Sequence, residues 1–172
     1  MERLWSPWRS QYISSFGTGK EYRGCVFCDA LASDHDDERY VVARHAHCFA
    51  ILNLYPYNSG HLMIVPNKHS DSFDALSDEE YRDVMDTLRV WIRVLREVLH
   101  PQGFNIGSNI GRVAGAGIDQ HIHMHIVPRW NGDSNFMPVL GDTKVISESM
   151  VDTMHRLRAH HAAMVAASGT TL

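Results

Sequence analysis

The sequence predicts an α+β fold: a mainly antiparallel, five-stranded sheet with one long helix packed on it and a second, C-terminal helix. Two observations carry this. Apolar strand-like runs lie on both sides of a single long helical stretch, and that order of strands, helix and strands is the α+β pattern. Residues 121–126 alternate polar and apolar in the period of two that a half-buried strand requires. At 172 residues the chain reads as one domain spanning 1–172, long enough to bury a real core.

Residues 1–16 are rich in aromatics (Trp5, Trp8, Tyr12, Phe16) but irregular, and Gly17-Thr18-Gly19-Lys20 reads as a loop. Together they form an aromatic N-terminal extension over 1–21. Asp34-His35-Asp36-Asp37-Glu38-Arg39 reads as a polar, exposed connection. Residues 40–44 and 47–53 read as two strands, and Tyr55-Pro56-Tyr57-Asn58-Ser59-Gly60 is turn chemistry leading to a third strand at 61–66. Ser77 and Glu80 form a capping box. Behind it Tyr81, Val84, Met85, Leu88, Ile92, Leu95 and Leu99 follow helical spacing, which predicts a helix over 78–99 stopped by Pro101 and Gly103. Residues 104–109 and 121–127 read as the last two strands, with Pro128 ending the second. A final helix is expected over about 147–161, with 166–172 frayed. No repeat or low-complexity tract interrupts the pattern.

Composition excludes several classes. Apolar content of 44% and charged content of 21% are ordinary for a globular protein. A net charge of −4 gives no global basic field for nucleic acid. No apolar run reaches the roughly 20 residues that span a bilayer, and Met1–Trp5 lacks the pattern of a secretory signal. Three cysteines do not make a secreted disulfide framework, so a cytoplasmic location is expected.

The chemistry concentrates in His121-Ile122-His123-Met124-His125. On a strand, His121, His123 and His125 share one face while Ile122, Met124 and Ile126 supply the other. Imidazole can ligate a metal, transfer protons near neutral pH or attack phosphorus. Gly111, Gly115 and Gly117 precede the run, in a loop whose amides can curl round an anion. Arg129 and Trp130 follow it with a cation and an aromatic ring. Together they point to a phosphoryl substrate, although three histidines could equally hold a catalytic metal themselves. Cys25-Val26-Phe27-Cys28 leaves three readings open: a redox dithiol, half a zinc site, or chance. Nothing supplies the βαβ setting that the redox reading wants. Zinc needs two further ligands, and the 12 histidines of the chain offer too many choices.

The run His121-Ile122-His123-Met124-His125-Ile126-Val127 resembles the signature of the histidine triad (HIT) superfamily. Gly60-His61-Leu62-Met63-Ile64-Val65-Pro66 is similar to that family's central strand, and Ser108-Asn109-Ile110-Gly111 to its polar turn. The stretch Pro128–Phe136 resembles the branch containing bacterial diadenosine tetraphosphate phosphorylases. The resemblance spans about 22–146.

The resemblance implies a nucleotidyl transferase or hydrolase that cleaves an AMP-containing polyphosphate at the α-phosphorus through a covalent AMP–histidine intermediate, with a non-catalytic nucleotide sensor as the alternative. It makes His123 the nucleophile, held by the carbonyl of His121. His125 would bond a phosphate oxygen, His61 would face His125, and Asn109 would contact the nucleophile or the scissile phosphate. Gly115 and Gly117 would offer amides to phosphates, and Asn53 would bind ribose. Phe49 and Ile51 are possible walls for the base, or simply core, and Trp130 belongs to the branch extension. By the same resemblance Cys25, Cys28, His69 and His121 form a structural zinc site, with no organic cofactor. A homodimer is implied, with inorganic phosphate as the acceptor in the phosphorylase branch; nucleic acid and membrane partners are not. One departure stands out. Relatives often carry a hydroxyl residue three or four positions before the triad, where this chain has Ile118 and Gly117. Asp119 beside a polyphosphate would be repulsive and is expected to point away.

Overall fold

The computed structural model describes residues 24–133 and 148–168. The aromatic extension, the segment through Phe136 and the extreme C-terminus therefore lie outside the described residues. The elements run α1 (Val26–Ala32), α2 (Asp36–Arg39), β1 (Val41–Arg44), β2 (Cys48–Leu52), β3 (Leu62–Pro66), α3 (Asp78–Leu99), β4 (Gly103–Gly107), a 3-10 turn (Arg112–Ala114), β5 (Met124–Arg129) and α4 (Met150–Ser168). The strands form one sheet in the order β1-β2-β3-β5-β4, with every neighbouring pair antiparallel. This is the fold class that the sequence predicts.

Alternation divides the sheet into two faces. Cys48, Ala50, Leu52, Leu62, Ile64 and Ile126 face α3 and α4 and meet Val84, Leu88, Trp91, Leu95, Met154 and Leu157 in the main core. Phe49, Ile51, Met63 and Val65 face the other way and pack with Val41, Phe27 and Ala30. Helix α1 covers this second face through Phe27 and Ala30.

Helix α3 spans 78–99 as expected, with both halves of the Ser77–Glu80 capping box formed. Such a cap is worth about 1 kcal/mol. Its buried stripe differs from the predicted one. Thr87, Val90, Trp91 and Val94 are buried, while Tyr81 and Met85 are 47% and 37% exposed. Tyr81 meets the edge of the Phe73 ring, at 6.2 Å.

Several boundaries depart from the sequence reading. Helix α1 has no counterpart in the sequence reading and α2 falls in the expected polar connection, because neither is long enough to show a helical period. Strand β4 begins at Gly103 and ends at Gly107. Strand β5 begins at Met124, not residue 121, because the register sets Pro66, which has no N–H to give, opposite Ile122, and the Ile122 amide instead donates to the Ser70 carbonyl at 2.6 Å. Pro128 lies inside β5, opposite Phe104, rather than ending it. Its carbonyl, and so its missing N–H, points beyond the end of β3, where Asn58 Nδ2 donates to that carbonyl at 3.1 Å. Helix α4 starts at Met150 and continues to Ser168, past the expected end at 161 and through residues expected to fray.

Candidate functional site

The three alternate histidines meet three different sets of partners. His121 is fully buried, and its Nε2 lies 2.8 Å from the Pro66 carbonyl. A carbonyl only accepts, so Nε2 carries the proton and Nδ1 keeps its lone pair. That Nδ1 sits 3.3 Å from Cys25 Sγ and 3.6 Å from Cys28 Sγ, while His69 Nδ1 sits 3.3 Å from Cys28 Sγ. The ligand atoms of Cys25, Cys28, His69 and His121 all lie within 4.8 Å of one another.

Tetrahedral zinc with two sulfur and two nitrogen ligands spaces those atoms roughly 3.3–3.8 Å apart, so this donor set fits the ion with a slight contraction. The Pro66 carbonyl fixes the ring as ligated imidazoles usually require. Without a cation, burial and the adjacent Cys25 raise the Cys28 thiol above its ordinary value, a tendency a divalent ion would reverse. The third cysteine, Cys48, is separate from this cluster, and burial pushes its thiol up to about 12.

His123 is 5% exposed, and its Nδ1 lies 2.9 Å from the His121 carbonyl. Nδ1 therefore holds the proton, and Nε2 is left with an available lone pair. Burial holds this imidazole below its usual pKa, although the bond to His121 works the other way. The Phe27 ring lies 5.0 Å from the His123 ring and 5.5 Å from that of His121, so α1 presses on both. The Ser108 hydroxyl donates to the His123 carbonyl at 2.6 Å.

His125 pairs with His61, Nδ1 to Nε2, at 2.9 Å. The Tyr57 amide donates to His61 Nδ1 at 3.0 Å, so the proton of His61 is on Nε2 and points at His125 Nδ1. Neutral His125 must then carry its own proton on Nε2, which makes it a donor on the side away from His61. His61 is 1% exposed; burial, then the neighbouring His125 and His123, hold it well below the ordinary histidine pKa. The Tyr57 ring lies 4.6 Å from His61 and 6.0 Å from His125.

The remaining expected site residues divide. Asn53 leans on His61, with Nδ2 at 3.3 Å from Nδ1, and its Oδ1 accepts the Tyr55 amide, so it supports the histidine pair. Phe49 and Ile51 are core residues of the α1 face. Asn109 follows Ser108, and it is Ser108 that reaches the backbone of His123 from this turn. The Gly115 amide donates to the Arg112 carbonyl at 2.9 Å, within its own loop, where Gly111 and Gly115 both take positive φ. Gly117 lies past that turn. Asp119 is neutralised by Arg112 at 2.5 Å, which holds its carboxyl below the usual range.

Arg129 is not a free cation. Asp133 grips it at two points, each 2.7 Å, and Asn105 accepts from it at 2.7 Å, while the Trp130 amide also donates to Asp133. Phe27, Tyr57 and Ser108 escaped the sequence reading. Phe27 lies between the two cysteines, which was a signal; Ser108 carried none beyond its place in the turn.

A metal held by the triad itself finds no support. Among the described residues, the group of histidine, cysteine or acidic side chains that converges for a metal takes only His121 from the triad. No helix among the described residues is long and apolar enough to cross a membrane.

Comparison with known proteins agrees with the geometry. The family model for the HIT domain matches residues 35–132. An AP-4-A phosphorylase of Mycobacterium tuberculosis is 38% identical over 167 residues, covering 94% of this chain and 85% of that protein. The crystal structure of a zinc-bound histidine triad family protein from Mycobacterium smegmatis superimposes with a TM-score of 0.69 at 27% identity, covering 84% of this chain and 98% of that one. A uridylyltransferase structure shares the fold, with a TM-score of 0.68 at 17% identity over 92% of this chain and 54% of that one.

Proposed function

Because this chain belongs to the HIT domain family, we propose that it is a nucleotidyl transferase that cleaves diadenosine tetraphosphate or a related AMP-containing polyphosphate. The observation that carries the reading is the tautomer of His123. A proton fixed on Nδ1 by the His121 carbonyl leaves Nε2 as a nucleophile, and burial keeps the ring neutral. The likeness to the AP-4-A phosphorylase supports the substrate class.

In the first step the Nε2 lone pair of His123 attacks the α-phosphorus. The N–P bond forms, the P–O bond to the leaving nucleotide breaks, and His125 Nε2–H hydrogen-bonds a phosphate oxygen or protonates the departing one. His61 holds His125 in the donor tautomer. In the second step an oxygen of inorganic phosphate attacks the same phosphorus, the N–P bond breaks, and ADP leaves beside the ATP released earlier. Asn109 is assigned to the scissile phosphate, Gly117 to a phosphate-facing amide, and Asn53 and Trp130 to the nucleotide.

Cys25, Cys28, His69 and His121 would hold zinc, which in a closed four-ligand site cross-links α1 to the segment before β5. The enzyme is read as a single-domain, cytoplasmic homodimer.

Incubation with diadenosine tetraphosphate, with and without phosphate, tests the proposal. ADP that appears only with phosphate supports it. AMP released without phosphate makes the protein a hydrolase, and full turnover by His123→Ala removes the covalent mechanism.

A further inference from the structure

We propose that Ser108 is a positioning residue for His123, clamping the backbone of the nucleophile at the point where the sheet ends. The consequence for catalysis rests on the nucleotidyl-transfer reading; the positioning itself rests on geometry alone.

The β4–β5 ladder closes with Gly107 opposite His125. One further step in that register would set Asn109 opposite His123, but β4 has stopped and the chain turns away at Gly111, with φ at +78°. His123 thus lies just outside β5. Its carbonyl is bonded by a side chain, the Ser108 hydroxyl at 2.6 Å. The preceding residues are tied elsewhere, Ile122 by its amide to Ser70 and His121 by its ring to Pro66.

The Nδ1–H of His123 reaches the His121 carbonyl two residues back, so the direction of the ring depends on the backbone torsions between those residues and on the peptide that follows. Ser108 holds that following peptide. The Met124 end of the same peptide stays paired with Ile64 of β3, so without the hydroxyl its carbonyl end tilts about that anchor and the ring's bond to His121 loosens. Displacement of a reacting group by about 1 Å can cost on the order of 100-fold in rate.

A hydroxyl that merely satisfied a buried carbonyl would affect stability and leave the ring alone. The test therefore compares full-length, zinc-replete wild type with Ser108→Ala and Ser108→Thr, below all melting temperatures. Nitrogen NMR of histidine-labelled protein reads the His123 tautomer, and steady-state kinetics with diadenosine tetraphosphate and phosphate read kcat and KM. In Ser108→Ala the His123 signals are expected to shift from the Nδ1–H form to a mixture of tautomers. The same variant should lose about 10- to 100-fold in kcat with little change in KM, and Ser108→Thr should restore both. A pure Nδ1–H tautomer in Ser108→Ala would overturn the proposal, as would a loss that Ser108→Thr fails to repair. If the wild type showed no turnover, the transfer reading would fall, and the tautomer measurement would still decide the role of Ser108.

Discussion

His123 Nδ1 donates to the backbone carbonyl of His121 at 2.9 Å, while the side chain of His121 faces the sulfurs of Cys25 and Cys28. One residue thus joins the candidate metal cluster through its ring and orients the candidate nucleophile through its backbone. Disturbance at the cysteines should reach the nucleophile without any contact between the two.

Replacing both Cys25 and Cys28 by alanine should lower zinc content from about one equivalent to none. Turnover should fall about 10- to 100-fold, the range seen when groups that orient a metal site are lost. Elemental analysis and initial rates check this; unchanged metal content would count against the four-ligand set.

His61→Leu removes the donor that fixes the His125 tautomer. The full effect of a general acid is about 10²–10⁴-fold, and the loss here should approach the lower figure, in kcat rather than KM. The native pH profile should also show it. His61 is held well below the ordinary histidine value, so it stays neutral, with Nδ1 accepting from the Tyr57 amide, to below about pH 6.5.

The C-terminal helix should make stability depend on pH. The His161 ring stacks on Trp91 at 4.9 Å and meets His45 edge-on at 5.8 Å. Burial lowers both imidazole pKa values; Asp83 opposes this at His45, and His45 deepens it at His161. The unfolded chain therefore takes up protons first as the pH drops. Stability from this pair is complete above about pH 6.5 and declines below it, until the pH passes the native values. Urea titrations at pH 7.5 and 5.5 should show the decline, and the double variant His45→Phe/His161→Phe should lessen it, the remainder coming from the buried His61, His121 and His123.

Gly60 precedes His61 with φ at +70°, and a Cβ there would clash with Leu99 Cδ1. Gly60→Ala should cost about 1–2 kcal/mol for the left-handed backbone alone, plus the displacement of Leu99. Chemical denaturation measures it; a loss below half that figure would mean that the turn relaxes freely.

The parts of this protein legible in its sequence are those with a long period or a strong local signal. Helix α3 shows both, with six turns and a capping box, and its ends were read correctly. The grouping of Cys25, Cys28, His69 and His121 followed from resemblance, because spacing alone could not bring His69 to Cys28 across 41 residues. What stayed hidden depends on tertiary contacts. Helix α1 is seven residues long, too short for a period to emerge. Arg129 looked like a phosphate ligand until Asp133, four residues on, was seen to hold it. The three histidines were read as one strand face; in the structure the strand starts only at Met124, so their roles separate.

That late start has a dynamic consequence. Residues 121–123 are fastened by a few discrete bonds rather than by a continuous ladder, so this short stretch can detach while the sheet persists. Proteins open in such units, at free energies below that of complete unfolding. In deuterated solvent the Ile122 amide should exchange through a small local fluctuation, whereas the amides of β5 around Ile126 should wait for the whole molecule to come apart.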